Sequence, residues 1–222
     1  MNRHDDFLRA VAIDSTALAW QASPHAGVER RMLERVGGEV ARATSVVRYA
    51  PGSAFAPHTH GGGEEFLVLD GVFCDDQGEY PRGWYVRNPP GSRHRPHSHV
   101  GATIFVKLRQ MHADERKRVC IDTRDPAGWR RDEGRTRARL LQDGFGERTE
   151  MLEWPAGFAG TWTWPGGAEY FVLEGAFDDD LGPHGEGAWL RLPAGAVQTV
   201  RTTRAARVYR KTGHLLHPVG VS

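Results

Sequence analysis

Residues 52–71 read GSAFAPHTHGGGEEFLVLDG, and residues 83–98 read GWYVRNPPGSRHRPHS. In the first stretch His58 and His60 are two apart, so on a strand both imidazoles point to one side. Three glycines then let the chain bend sharply before Glu64. In the second stretch a Pro-Pro-Gly turn delivers His94 on a neighbouring strand. Three imidazoles and one carboxylate converging inside a barrel make a mixed nitrogen and oxygen site. Such donors suit Fe, Mn, Zn, Ni or Cu and do not choose among them. His97 and His99 follow closely and could stand in for His94.

Outward from these stretches the chain repeats itself. Residues 51–94 lie over residues 155–198 at a constant offset of 104, and 16 of the 44 pairs are identical. EEFLVLDGVF matches AEYFVLEGAF, and Pro51, Glu65, Gly71, Phe73, Gly83, Arg87, Pro89 and Gly91 all recur. A gapless register of that length marks a tandem duplication of one unit. Short runs rich in β-branched and aromatic residues recur in both copies: TSVVRYA, EFLVLDGVF, GWYVRN and ATIFVKLR, then TEMLEW, YFVLEGAF, AWLRLP and ARVYRK. Turn residues bound them, which predicts strands. A short helix is expected only around DDFLRAVA, near the start. Residues 112–137 are rich in both signs of charge and read as a solvated connection that includes one short strand at VCI.

Composition excludes several classes. A net charge of +1 over 222 residues gives no electrostatic case for nucleic acid or an acidic membrane surface. No window approaches the ~20 apolar residues that span a bilayer. The two cysteines, Cys74 and Cys120, form no CxxC pair and read as reduced thiols, so a cytoplasmic protein is expected. No P-loop, GxSxG or HExxH motif competes with the histidine set.

The two stretches match the cupin motifs G-x5-H-x-H-x3-E-x6-G and G-x5-P-x-G-x2-H-x3-N at every fixed position but the last, where Ser98 replaces Asn. More narrowly, HGGGEEFLVLDGVF and YPRGWYVRNPPGSRH resemble the cupin domain of ChrR-type anti-sigma factors and the related acetylacetone-cleaving dioxygenases. The resemblance covers about residues 35–215. It implies an all-β fold of two tandem cupin barrels, each a jelly roll or double-stranded β-helix. The expected domains are residues 1–125, holding metal, and residues 126–222, degenerate. The repeat selects the ligands. His58, His60, Glu64 and His94 pair with Trp162, Trp164, Ala168 and Gln198, so the set disappears together, while Glu65 persists as Glu169. Glu64 is therefore expected to be the ligand and Glu65 structural, bonding backbone or an arginine. Arg87 and Arg191 are expected to be framework ion-pair partners, and Phe66, Val68 and Trp84 either line the pocket or belong to ordinary core. His112, His184, His214 and His217 are expected at the surface.

Two functions fit this reading. One is a non-haem iron-type dioxygenase acting on a small dicarbonyl or aromatic ketone, with Glu64 as metal ligand or catalytic base. The other is a metal-binding sensor or regulatory cupin without catalysis. Either takes one divalent transition metal per chain, Fe or Zn foremost, with Mn, Ni or Cu allowed, and a small-molecule ligand in the first barrel. A homodimer is compatible with both. Sigma-factor binding is not supported, because the His-x3-Cys-x2-Cys pattern of the helical sigma-binding domain is absent.

Overall fold

The structure is a computed structural model, and it describes residues 2–38, 40–131 and 136–218. Among these, one compact unit is built from residues 2–5 and 18–124 and a second from residues 6–17 and 125–218. Both are β throughout, with 3-10 turns at Ser15–Ala17 and Pro126–Gly128 as the helical elements described.

In the first unit the strands Val119–Asp122, Trp84–Asn88, Glu64–Asp75, Ala102–Leu108, Arg42–Tyr49, Val28–Val36 and Gln21–Ala22 follow one another across a sheet. Every pairing is antiparallel, as a jelly roll requires. The long strand Glu64–Asp75 turns a corner at Gly71, whose φ is 69°. A Cβ there would lie 2.1 Å from the Gly101 carbonyl oxygen, so only glycine lets the two backbones meet. Gly175 repeats the arrangement against the Ala205 carbonyl. Alternate residues of the strands fill the interior, giving a core of Val28, Tyr49, Phe66, Val68, Phe73, Tyr80, Val86, Ile104 and Val106. Each fully buried large apolar side chain contributes about 1.5–3 kcal/mol.

The second unit has the strand order Val11–Asp14, Ala188–Leu192, Ala168–Glu174, Ala206–Thr212, Glu147–Trp154, Arg137–Gly144, Arg130–Arg131. Its core gathers Trp154, Trp164, Tyr170, Val172, Phe177, Leu190 and Val208. All eight runs expected to be strands fall on strands.

The helix expected around DDFLRAVA is not formed. Val11–Asp14 is instead a strand, pairing Val11 with Arg191 and Asp14 with Ala188. A β-branched tetrapeptide beside an open sheet edge takes the ladder over an isolated helical turn. VAID has a counterpart in VCID at 119–122, which pairs Val119 with Arg87 in the same way. The leading strand of each repeat thus completes the unit formed by the other. The charged connection is also less solvated than its composition implies, for Glu115 is buried and bonds Arg87 through both carboxylate oxygens.

Candidate metal centre

The four side chains singled out in the sequence meet inside the first unit. His58 and His94 are directly opposed across the short ladder His58–Thr59 with Arg93–His94. His60, two residues on, shares the face of His58. The imidazole nitrogens of the three histidines lie within 4.8 Å of one another. His60 Nε2 and His94 Nε2 are 2.8 Å apart, and Glu64 Oε2 lies 3.4 Å from each. His60, Glu64 and His94 are buried, while His58 is half-buried at the edge of a cavity.

The glycines before Glu64 have identifiable work. Gly63 has φ 77°, and a Cβ on it would lie 2.3 Å from Met111 Sδ. A Cβ on Gly62 would lie 2.8 Å from the Arg109 Cα. The turn therefore packs directly on the segment after Ala102–Leu108, and this fixes where the strand carrying Glu64 begins.

Hydrogen bonds on the far side of the rings set the proton positions. His58 Nδ1 is 3.0 Å from the Ala56 carbonyl oxygen, which can only accept, so Nδ1 carries the hydrogen and Nε2 keeps its lone pair. His94 Nδ1 donates to Asp75 Oδ2 at 3.0 Å, with the same consequence. Asp75 accepts in turn from Tyr80 Oη at 2.9 Å and from the Gln77 backbone N–H at 2.8 Å. Arg118 donates to Tyr80 Oη at 2.6 Å and to Asn88 Oδ1 at 3.1 Å, and Asn88 Nδ2 donates to Glu64 Oε2 at 3.3 Å. One guanidinium thereby anchors two chains of bonds, one ending at His94 and the other at Glu64.

The titration of these groups follows. Burial works to raise the Asp75 carboxyl, but the bonds from His94, Gln77 and Tyr80 outweigh it and hold the group below its ordinary range. Burial works to lower the His94 imidazole, but the Asp75 bond and the Glu64 charge outweigh it and raise the group. At His60 burial prevails over the pull of Glu64, with His94 and His58 adding to it, and the imidazole is lowered. Tyr80 is raised by burial and by the Asp75 charge.

A divalent transition metal fits this arrangement. Two Nε2 atoms at 2.8 Å share at most one proton, and the carboxylate oxygen beside them can only accept. A cation satisfies all of the lone pairs at once, and the bonds at the other ring nitrogens orient the ligands as metal sites require.

His97 and His99 do not join this group. They approach Cys74, with His97 directly opposite it across the ladder. Asp75 and Phe73 point inward, so alternation places Cys74 and His97 on the other face. Glu65 alternates away from Glu64 and accepts from Tyr85 Oη at 2.8 Å and from Arg87, forming with Glu115 a buried ion triad. Phe66 and Val68 are core, with Trp84 packed against it. The cavity of about 480 Å³ above the histidines is walled instead by Val47, Tyr49, Phe55, Ile104, Val106 and Leu108. His112 and His217 are exposed as expected, but His184 and His214 are buried on Asp179 and Glu169. Asp75, Tyr80, Asn88 and Arg118 were missed. Asp75 alone left a signal, its identity with Asp179 in the repeat.

An antiparallel jelly roll with three histidines and a glutamate gathered inside defines a cupin. The chain belongs to the ChrR cupin-like domain family, whose profile matches residues 8–112 and again 116–216. A search of curated proteins finds no match. Among solved structures the chain is similar to a candidate dioxygenase from Nostoc punctiforme, with TM-score 0.79 and 14% identity over 96% of this chain and 86% of that one. It is also similar to the pirin YhhW of Escherichia coli in complex with nickel(II), at TM-score 0.67 and 10% identity over 92% and 98%. The Bacillus subtilis oxalate decarboxylase, which has Mn(II) centres, aligns at TM-score 0.64 and 10% identity over 91% and 76%. At these identities the likeness is one of fold. No helix among the described residues is long and apolar enough to cross a membrane.

Proposed function

We propose that His58, His60, Glu64 and His94 hold one divalent transition metal, and that the first unit is an oxygenase-type site for a small enolisable dicarbonyl or aromatic ketone. The observation carrying this reading is the convergence of the four donors, of which His58, His60 and Glu64 line a cavity of about 480 Å³ with apolar walls, within the ordinary range for small-molecule sites. When bound, the metal would supply Lewis acidity toward a carbonyl oxygen, and a redox-active one such as iron would also supply a one-electron partner for O2. The chain's own groups do the rest. Val47, Ile104, Val106 and Leu108 exclude water from the ligand's body. Tyr49, whose hydroxyl is held well above its usual range by burial and the Glu64 charge, stays protonated and can donate to a ligand oxygen. Glu64 bonds Asn88 through Oε2 alone, leaving Oε1 to accept the acidic C–H proton of a dicarbonyl. Fe and Zn are the first metals to test.

Elemental analysis of the natively purified chain, followed by O2 uptake with β-diketones and hydroxyacetophenones on the iron-loaded form, tests the reading. Turnover that is lost in Glu64→Ala supports it. Tightly held zinc with no turnover on any of the compounds would replace it with the sensor reading.

A further inference from the structure

The cavity above the histidines is lined by three arginines, Arg30, Arg35 and Arg109, and by one carboxylate, Glu64. On the strand Val28–Val36 the neighbouring charges already have partners, although the Arg31 Nε, like that of Arg30, is buried without a hydrogen bond. Glu29 pairs with Arg48 at 2.6 Å, Glu34 with Arg42 at 2.9 Å, and the Arg31 guanidinium sits 4.2 Å over the Trp20 ring. Arg30 has no such partner among the described residues, and its Nε is buried without a hydrogen bond. Arg35 reaches the Gly38 carbonyl, and both burial and the Arg30 charge disfavour its proton.

Arg109 is the most informative of the three. Its φ is 58°, a left-handed conformation that L-residues other than Asn and Asp seldom take. The second unit places Gly213 at the matching position, with φ 85°. The surroundings are the same in both. Arg109 N–H donates to Gly63 O at 2.9 Å and Gly213 N–H to Gly167 O at 3.1 Å. The backbone thus asks for glycine at this position, and the first unit alone carries an arginine there. Its Nη1 lies 3.1 Å from where a Cβ of Gly61 would stand, beside His60, and its guanidinium makes no hydrogen bond or ion pair among the described residues. Strain kept at one residue beside a site points to a use for its side chain.

We propose that the ligand of this cavity is a carboxylate anion with a small apolar body, and that Arg109 binds the carboxylate while Arg30 and Arg35 supply the positive field around it. A planar guanidinium matches a carboxylate in two parallel bonds, and a desolvated positive cavity strengthens them. This rests on the reading of the cavity as the substrate site of the metal centre and narrows the substrate to an acid.

The test uses the full chain loaded with Zn(II), so that nothing turns over, and two probes that differ only in the acid group, 2,4-dioxopentanoate and pentane-2,4-dione. Calorimetry should give the acid at least about tenfold tighter binding, weakening with added salt. Arg109→Gly, which suits the backbone, should keep its metal and an equal or higher melting temperature while the preference falls to about threefold or less. A preference that survives both Arg109→Gly and Arg30→Gln would belong to the metal's own charge and overturn the assignment. Equal binding of the two probes by the unaltered chain would overturn it too, leaving the dicarbonyl reading intact. If neither dicarbonyl binds, 4-phenylbutanoate against 4-phenylbutan-1-ol decides. Acid-selective binding lost in Arg109→Gly keeps the carboxylate assignment and removes the dicarbonyl reading, and no binding of either acid removes the assignment.

Discussion

The two units share a hydrogen-bonded frame and differ in what it holds. In the second, Asp179 stands where Asp75 stands in the first. It accepts from Gln198 Nε2 at 2.7 Å and from His184 Nε2 at 2.7 Å, at the positions of His94 and Tyr80. Gln198 Oε1 accepts from Trp164 Nε1 at 3.2 Å, at the position of His60. Donor meets acceptor at each of these steps. In the first unit the chain from Asp75 ends instead in lone pairs that converge on one another. The difference teaches what separates the frame from the site: the carboxylate behind the ring or amide is common to both units, and only in the second do the groups in front of it close the network on themselves. The space is taken by indoles. Trp162 and Trp164 stack at 5.8 Å between ring centroids, and Trp162 stacks on Trp154 at 6.1 Å, with the Arg210 guanidinium 5.2 Å from the Trp164 ring. Neither potential metal-holding group of His, Cys, Asp and Glu found among the described residues lies in this unit.

The largest expected effect comes from making the first unit resemble the second at one position. His94→Gln keeps a donor for Asp75 but removes one imidazole from the centre. Metal content after dialysis should fall from one ion to none, with the β-sheet circular dichroism and the melt of the apo protein little changed. Retention of wild-type metal would show that the converging donors are not the site. His58→Ala should behave in the same way.

Next comes the pair that the repeat separates. Glu65 has its counterpart in Glu169, which accepts from Trp189 Nε1 at 2.7 Å and His214 Nε2 at 3.1 Å. Removing Glu65 strands the fully buried Arg87 beside Glu115, and breaking a buried pair costs about 3–5 kcal/mol. Glu65→Ala should therefore lower the denaturant midpoint sharply. Glu64→Ala should weaken metal binding and leave the midpoint nearly unchanged. The opposite pattern would exchange the two roles.

The pattern His58-x-His60 followed by Glu64 was legible because the turn residues and spacing leave few alternatives, and the repeat supplied a built-in control. The partners behind the ligands were not. Asp75 stands at the end of a strand in an acidic pair, Asp75-Asp76, where either residue reads as turn chemistry. Tyr80 becomes His184 in the other copy, so identity cannot flag it, and Arg118 lies in a stretch whose mixed charge suggests solvent. The same limit misplaced the first strand: the tetrapeptide VAID carries little local preference and takes its conformation from Ala188–Leu192, far along the chain.

Asp75→Asn tests the frame that both units keep. The asparagine oxygen still accepts from His94 Nδ1, but the charge that raises His94 is lost. Metal affinity near neutral pH should drop about 10–100-fold, as for other residues that orient a ligand. The pH dependence should move as well. A proton on His94 Nε2 competes with metal, and His94 is raised in the wild type, so affinity there is lost as pH falls through a value above that of an ordinary histidine. In Asp75→Asn that loss should begin at lower pH. Chelator competition across a pH series measures both shifts, and an unchanged pH profile would mean that Asp75 does not set the ligand's basicity.

The smallest effect is expected at Tyr80, where the two units differ most mildly. Its ring packs at 5.9 Å from Phe66 and 6.0 Å from Trp84, so Tyr80→Phe keeps the volume and opens no cavity. Only the hydroxyl goes. Asp75 loses one of its acceptor contacts but keeps His94 and the Gln77 N–H, while Arg118 keeps Asn88 and, being half-exposed, can turn to water. One neutral hydrogen bond to a charged group has a net worth of about 1.5–3 kcal/mol when fully buried, and only part of it reaches the metal through two further contacts. Metal affinity should fall by about tenfold or less at neutral pH, with the pH profile displaced less than in Asp75→Asn. A loss as large as that of Asp75→Asn in the same competition titration would place the hydroxyl on a par with the carboxylate. The His184 of the second unit, 2.7 Å from Asp179, would then be the full equivalent of that hydroxyl in the shared frame.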